Sequence, residues 1–214
     1  ATPTDMPAIL VAIDAASLGD LDGQEAHWLR QIITAALKID DTHLMLACSH
    51  THASPWSARS RAQMPGGDLI EKYLQDISHA IIEAGREAIA RKEDAIVTFQ
   101  DGRCSLATNR DLPDPHNPER YLTGFNPDVP ADDTVMVGRI TQVSDHRMLG
   151  TIVNYACHPT TSGWDNKLFS PYYIGAMRDV IERETGGMPC LFLQGSSADL
   201  APAFPCVRYT SVAD

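Results

Sequence analysis

A strand, a helix and a second strand are predicted in succession in the first 48 residues of the chain. The apolar runs Ala8–Ala15 (AILVAIDA) and His43–Cys48 (HLMLAC) are typical of buried strands. Between them lies Asp20–Leu37, whose apolar side chains recur at helical spacing: Trp28, Ile32, Ile33, Ala36 and Leu37. Strands that are joined by a helical crossover pair in parallel, so this order predicts an α/β fold with a parallel sheet.

The rest of the chain continues the alternation of helices and strands. Apolar periodicity predicts helices over Leu69–Arg91 and Ser170–Thr185, the second with a Ser-Pro start and a Gly186-Gly187 end. Further strands are predicted over Thr134–Val143 and Met148–Cys157, as a hairpin, and over Cys190–Gln194. We therefore predict an α/β fold with a mixed sheet, a largely parallel core, hairpins and flanking helices.

Turn residues mark two segments in the middle of the chain. Asp101-Gly102 separates the runs Ala95–Gln100 and Cys104–Thr108, which predicts a second hairpin. Leu112–Asp133 is rich in Pro, Asn and Asp and predicts a loop. Because this loop is too long for a plain connector, we expect it to cover another part of the molecule.

Charge and hydropathy exclude some classes of partner. The formal net charge of -11 argues against nucleic acid or an anionic membrane as the main partner. No stretch approaches the roughly 18–20 apolar residues of a transmembrane helix, so no transmembrane segment is predicted. The five cysteines include no C-x-x-C pair, and Cys48, Cys157 and Cys190 lie in or beside apolar runs. We predict reduced, buried thiols, which favours a reducing, cytoplasmic compartment.

Three predicted strands end in clusters of polar residues. Leu44–Cys48 leads into Ser-His-Thr-His, Ile152–Cys157 into His-Pro-Thr-Thr, and Leu191–Gln194 into Gly-Ser-Ser-Ala-Asp. Ligand sites of open α/β sheets gather where strands end. We therefore predict that the three clusters meet in one site.

Histidines are the residues in these clusters with the most specific chemistry. In an extended chain His50 and His52 share a face, because residues two apart point the same way. Imidazole is a common zinc ligand and also titrates near neutral pH, so one histidine can bind metal while its neighbour handles a proton. His158 would supply a second ligand from another strand. The alternative is that each is a polar strand-end residue bonded to backbone.

Other polar residues near the strand ends are candidates for the same site. Asp199 follows a Gly-Ser-Ser run and would orient a histidine or bind metal; a turn aspartate bonded to its own backbone is the alternative. Arg110 would clamp a carboxylate or stabilise an oxyanion, unless it pairs with Asp111 or Asp114. We also predict substrate contacts from three residues, Asn109, Thr160 and Ser197.

Six segments of the chain resemble, in order, the motifs of the neutral/alkaline (non-lysosomal) ceramidase family. They span most of the chain, from about Ala8 to Pro202, and are Ser49–Pro55, Asn109–Arg110, Asn117–Tyr121, Asn154–Thr161, Asn166–Gly175 and Gln194–Pro202. The resemblance implies a zinc-dependent amidohydrolase with an α/β catalytic domain. It implies that His50 and His158 are zinc ligands, that His52 lies beside the scissile group, and that Arg110 faces the substrate. The family also favours secretion, in conflict with the cysteines, so the compartment stays open.

The chain departs from the family pattern at informative positions. Ala201 stands where the ceramidases have the serine that is taken to be the nucleophile, and Ala198, Pro171, Tyr172 and Ser54 also differ from the motifs. We therefore predict a metal-dependent hydrolase of a small-molecule amide or ester, with zinc or another divalent metal, rather than a true ceramidase. The alternatives are a metal-free serine hydrolase using Ser196 or Ser197, and a non-catalytic ligand-binding relative.

The metal ligands that are visible in the sequence form an incomplete set. The family's other two ligands, a Glu and a Tyr, lie beyond Asp214, and its first strands lie before Ala1. We therefore expect residues 1–214 to be a single α/β catalytic-domain fragment that is incomplete at both ends. A catalytic zinc normally has about three protein ligands. A second chain would supply the missing ones, or Asp199 or His52 would complete the set within this chain.

Overall fold

A computed structural model describes residues 6–162 and 166–203 of the chain. The described residues form three α-helices, which are α1 (Gln24–Leu37), α2 (Ile70–Ala90) and α3 (Tyr172–Glu184). They form ten strands, which are β1 (Ile9–Ile13), β2 (Leu44–Cys48), β3 (Ala95–Arg103), β4 (Ala107–Asn109), β5 (Asp111–Asp114), β6 (Asn117–Thr123), β7 (Thr134–Gln142), β8 (Met148–Tyr155), β9 (Cys190–Gln194) and β10 (Leu200–Pro202). None of the described helices is long and apolar enough to cross a membrane.

The first of two compact units consists of Ala1–Cys48 and Ser54–Asp94, as far as these residues are described. Strands β1 and β2 pair in parallel, from Ile9 opposite Leu44 to Ile13 opposite Cys48. The predicted strand–helix–strand unit is therefore confirmed. Helices α1 and α2 bury their apolar stripes in one cluster with Leu44, because residues three and four apart share one helix face: Leu29, Ile33, Leu37, Ile70, Leu74, Ile81 and Ile82.

The second unit consists of Ser49–Ala53 and Ala95–Asp214, as far as these residues are described, and is built on a four-stranded sheet. The strand order is β3-β7-β8-β9, with β3–β7 and β7–β8 antiparallel and β8–β9 parallel. The predicted mixed α/β fold is therefore confirmed, and among the described strands parallel pairing is confined to β1–β2 and β8–β9. Val153, Phe192 and Ile174 of α3 are buried in the same core cluster.

The β8–β9 pair sets the position of two of the predicted polar clusters. Its register ends at Tyr155 opposite Gln194. Because the strands are parallel, the chain leaves both of them at the same edge of the sheet. The residues after β8, which include His158, therefore lie next to the loop that follows β9.

The predicted hairpin at Asp101-Gly102 is wrong. Strand β3 continues through both residues to Arg103 and pairs with β7 along its whole length, with Gly102 opposite Val135. Nine paired positions on a neighbouring strand outweigh the local preference of one Asp-Gly step for a turn. Only part of the second run is a strand: β4 starts at Ala107 and pairs with β10 instead.

The segment Leu112–Asp133, predicted as a loop, contains the antiparallel strands β5 and β6. A bulge at Pro113/Asp114 interrupts their register. The buried Asp114 carboxylate accepts hydrogen bonds from the backbone N–H of His116 and from Arg120 Nε, both at 2.8 Å, and these bonds hold the turn together. The hydrogen bonds to His116 and Arg120 also lower the pKa of Asp114.

Helix α3 begins two residues later than predicted, at Tyr172. Ser170 still supports its start, because Ser170 Oγ accepts a hydrogen bond of 3.0 Å from the Tyr172 backbone N–H. The predicted end is confirmed, since Gly186 and Gly187 follow the helix with φ angles of 74° and 87°.

The four described cysteines are free thiols, as predicted, and Cys206 lies outside the described residues. Burial raises the pKa of Cys48 to about 11.

Candidate metal centre

Three histidine rings of the second unit lie against one another. His52 Nε2 is 3.4 Å from His50 Nε2 and 3.2 Å from His158 Nε2. The donor nitrogens of all three rings lie within 4.8 Å of one another. A tetrahedral ion with metal–nitrogen bonds of about 2.1 Å holds its ligand nitrogens about 3.4 Å apart. The spacing of the three rings therefore fits a single ion of this kind.

The segment Ser49–Ala53 brings two of the histidines to this point. His52 N–H donates to Pro159 O at 3.4 Å, and Thr51 Oγ1 donates to Ser170 O at 2.6 Å. Ser170 N–H in turn donates to Ala53 O at 2.9 Å. The segment is thus tied to the chain around His158 and to the start of α3.

His50 does not have the extended conformation from which we predicted that His50 and His52 share a face. Its φ is 64°, in the left-handed region, which L-residues other than glycine rarely occupy. The two rings nevertheless meet, with centroids 5.0 Å apart and planes at 82°. The two rings therefore converge with His50 in a left-handed conformation, and not through the alternation of side chains along an extended strand.

A backbone carbonyl holds the His158 ring in one tautomer. Its side chain is buried, and its Nδ1 lies 2.8 Å from the carbonyl oxygen of Ser197. A carbonyl only accepts hydrogen bonds, so Nδ1 carries the proton. In the neutral ring the lone pair is then on Nε2, the atom that faces His52. Metal-binding histidines characteristically donate their second ring nitrogen to a carbonyl or carboxylate in this way.

The surroundings also favour neutral imidazoles. Burial, with smaller contributions from the positive charges of Arg110, His50 and His52, lowers the pKa of His158 to about 4, although the bond to Ser197 opposes the change. Desolvation, followed by the charges of His50 and Arg110, lowers the pKa of His52 as well. A lowered pKa favours the neutral ring, which is the form that binds a metal ion.

Arg110, Asn109 and Asp199 are brought together beside the loop after β9. Arg110 Nε donates to Ala198 O at 2.8 Å, and Arg110 N–H donates to Asp199 O at 2.8 Å. Asn109 Nδ2 donates to the Asp199 carboxylate at 3.2 Å. The hydrogen bond described for the Asp199 carboxylate is therefore the one from the Asn109 amide. The group that orients the His158 ring is instead the Ser197 carbonyl. Of the two alternative partners considered for Arg110, Asp114 pairs with Arg120 instead.

The remaining predicted residues lie in the same part of the second unit. Thr160 and Ser197 are buried, and Thr160 N–H donates to His158 O at 2.9 Å. Ser196 is exposed. Ser197 Oγ lies 3.5 Å from His158 Nδ1, but that nitrogen donates to the Ser197 carbonyl and is not available as a base for the hydroxyl. Ala201 is buried in β10, opposite Thr108.

Sequence reasoning missed two side chains that hold the backbone in front of His158. The carbonyl of Cys157 accepts hydrogen bonds from Tyr173 Oη at 2.8 Å and from Gln194 Nε2 at 3.1 Å. Gln194 carries a weak signal, because it is the one polar residue of the predicted strand CLFLQ. Tyr173 carries none, because aromatic residues in amphipathic helices are usually core residues.

The left-handed backbone of His50 predicts an effect on stability. Residues other than glycine incur a free-energy cost of about 1–2 kcal/mol at this φ, and glycine does not. Glycine also has the more flexible unfolded chain, which offsets about 0.5–1 kcal/mol of this advantage in stability. We expect metal-free His50→Gly to be more stable than His50→Ala by roughly 0.5–1 kcal/mol, as measured by urea denaturation. Equal stabilities of the two variants would mean that His50 is not held at positive φ.

Comparisons with known proteins found similar solved structures but no similar sequences. No protein-family model matches the chain, and no curated protein sequence matches it. A solved structure described as ceramidase complexed with C2 is 21% identical, with a TM-score of 0.70 over 91% of this chain and 30% of that one. The neutral ceramidase of Pseudomonas aeruginosa is 20% identical, with a TM-score of 0.70 over 96% of this chain and 33% of that one.

The likeness to these two structures is a likeness of fold. This chain spans about a third of the length of the ceramidase chains that it matches. The resemblance that was inferred from six short motifs is therefore confirmed at the level of the fold.

Proposed function

We propose that this chain carries the metal centre of a hydrolase that cleaves an amide, or an ester, of a small molecule. One observation carries the proposal: His52 Nε2 lies at distances from His50 Nε2 and His158 Nε2 that suit ligands of one ion, and the buried His158 is oriented to offer its lone pair. The fold that the chain shares with neutral ceramidases supports a hydrolase. Zinc is the preferred ion, because it is commonly bound by histidine nitrogen; other divalent transition metals also suit imidazole ligands.

The ligand set can be completed within this chain. We assign His50 and His158 as ligands, and the distances from His52 Nε2 to both support His52 as the third. Three protein ligands are the usual number for a catalytic zinc, whose fourth position is open to water or substrate. No second chain is then needed. Bound at this site, the ion would polarise the scissile carbonyl or lower the pKa of a water molecule.

The other residues of the site would bind and orient the substrate. The Arg110 guanidinium is close enough to the histidines to lower the pKa of His52 and His158, so it would also attract negative charge that develops on the substrate oxygen. Asn109, Thr160 and Ser197 would contact the substrate, and Asp199 would hold Asn109 in place. Ala201 offers no hydroxyl where the ceramidases have their serine, so we propose a substrate that is smaller and more polar than ceramide.

Metal analysis tests the proposal. Protein that has been stripped with a chelator and reloaded with Zn²⁺ is expected to hold about one equivalent and to hydrolyse short N-acyl amides or esters. His50→Ala is expected to lose the metal, whereas His79→Ala, which removes an exposed histidine of α2, is expected to keep it. Binding of less than about a fifth of an equivalent, unchanged by His50→Ala, would exclude a metal centre. Intact substrate after long incubation of the zinc-loaded protein would instead identify a non-catalytic metal-binding relative.

His52→Ala separates two roles for His52. A third ligand predicts that Zn²⁺ affinity falls by more than about 100-fold, because a ligand matters at least as much as the residues that orient it. A residue that only transfers protons predicts full metal content and a loss confined to turnover. Chelator competition, followed by rate measurements at saturating Zn²⁺, distinguishes the two.

A further inference from the structure

The side-chain amide of Gln194 bonds to both chain segments that fix His158. Gln194 is the last residue of β9. Its Nε2 lies 3.1 Å from Cys157 O, 2.9 Å from Ser197 Oγ and 3.3 Å from Gly195 O. Two of these acceptors are carbonyls, so the NH₂ group, and not the amide oxygen, must face them. One amide thus connects the residue before His158 to the residue that bonds the His158 ring.

Ser197 offers His158 Nδ1 two different partners. Its carbonyl oxygen, at 2.8 Å, accepts a hydrogen bond from Nδ1–H, so the ring proton stays on Nδ1 and the lone pair on Nε2. Its hydroxyl, at 3.5 Å, can donate to Nδ1, which would move the ring proton to Nε2 and block that atom as a ligand. The two oxygens lie 2.8 Å and 3.5 Å from Nδ1 and so differ by only 0.7 Å in their distance from it. The position of Ser197 therefore decides which nitrogen of His158 can bind a metal ion.

We propose that Gln194 is a positioning residue that selects the tautomer of His158. By donating to Ser197 Oγ and Cys157 O, its amide keeps the Ser197 carbonyl, and not the hydroxyl, at bonding distance from Nδ1. The Nε2 lone pair then stays directed at His52 and His50. The effect on metal binding rests on the proposed function, whereas the effect on the tautomer does not.

Tyr173 supports the same backbone but does not have the role that we propose for Gln194. Tyr173 Oη also donates to Cys157 O, at 2.8 Å, but its described hydrogen bond does not reach Ser197. Tyr173 therefore holds the main chain in front of His158 without fixing the partner of the ring. Among the described hydrogen bonds, those of the Gln194 side chain reach both Cys157 and Ser197.

A matched pair of variants tests the proposal. Gln194→Met removes the amide and keeps the length and most of the volume of the side chain. Asn154→Met is the control, because Asn154 Nδ2 donates to Leu193 O at 2.9 Å across the same β8–β9 pair and has no described side-chain hydrogen bond to Cys157 or Ser197. Ser197→Ala is a smaller change that removes only the hydroxyl. Because Ser197→Ala removes the competing partner of Nδ1, it is expected to keep the Nδ1–H form of His158. An Nε2–H form in this variant would contradict the proposal even if Gln194→Met does not fold.

Two measurements distinguish an effect on the tautomer of His158 from an effect on the affinity for Zn²⁺. Ring ¹⁵N chemical shifts of the metal-free protein report which nitrogen of His158 is protonated, and chelator competition reports the affinity for Zn²⁺. We expect the Nδ1–H form in the wild type and in Asn154→Met, and a mixture of both forms in Gln194→Met. We expect Gln194→Met to bind Zn²⁺ about 10–100-fold more weakly than Asn154→Met, the range found when a group that orients a metal ligand is lost. Because Gln194 acts through Ser197, Gln194→Met/Ser197→Ala should lose no more than the larger single loss.

Several outcomes would overturn the proposal. They are an Nε2–H tautomer in the wild type, an unchanged tautomer and Zn²⁺ affinity in folded Gln194→Met, an equal loss in Asn154→Met, and additive losses in the double variant. If the wild type binds no Zn²⁺ but Gln194→Met changes the His158 tautomer, the positioning role stands and the proposed metal function fails.

Discussion

His158→Ala is expected to abolish Zn²⁺ binding and to lower hydrolytic activity by at least about 10³-fold. His158 is the buried member of the three histidines, and its Nδ1 bond to Ser197 directs Nε2 at the other rings. Loss of this proposed ligand would leave two imidazoles, one fewer than the usual set for a catalytic zinc. Metal content and kcat/KM, both measured after reloading with Zn²⁺, are the observables.

His146→Ala is the control for this experiment. His146 is an exposed histidine in the β7–β8 turn, and its replacement is expected to leave metal content and rate unchanged. Circular dichroism of both variants separates loss of the site from loss of the fold. A folded His158→Ala protein that still binds one equivalent of Zn²⁺ and turns over substrate would refute the assignment of His158 as a ligand.

Phe192→Ala is expected to lower the free energy of unfolding of the second unit by about 3–5 kcal/mol. Phe192 lies in the middle of β9, is 1% exposed, and is the largest fully buried side chain among the described residues. Its ring meets that of Tyr173 edge to face, with centroids 6.1 Å apart and planes at 90°. The truncation opens a cavity between β9 and α3 and removes this ring contact. Urea denaturation of the metal-free protein measures the loss.

Leu193→Ala is the matched control on the same strand. Leu193 is the next residue and points to the other face of the sheet, where it is only half-buried. It is therefore expected to lose roughly 1–2 kcal/mol, less than Phe192→Ala, because less apolar surface returns to water. Equal losses for the two variants would show that the core does not lie on the Phe192 face of β9.

The elements that the sequence predicted well are those whose apolar period is strong and continuous. Helix α2 was predicted to within one residue at each end, and strand β9 was predicted with its observed bounds. Side chains at these positions meet the core whatever their partners are, so the pattern alone is informative. The hairpin at Asp101-Gly102 failed for the opposite reason. Its turn chemistry is local, whereas β3 is extended by pairing with β7, whose paired residues lie 31 to 47 positions further along the chain.

By itself, the sequence determined that His50, His52 and His158 follow apolar strands and that the chain resembles ceramidases. Those conclusions depend on residue types and their spacing, which the sequence displays directly. Only the tertiary structure decided that the three rings converge, because His52 and His158 are 106 residues apart and meet through the hydrogen bonds that tie the segment Ser49–Ala53 to Pro159 and Ser170. It also decided which nitrogen of His158 faces the site. The group that orients the ring is a main-chain carbonyl 39 residues away, and every residue has such a carbonyl, so no sequence pattern could identify it.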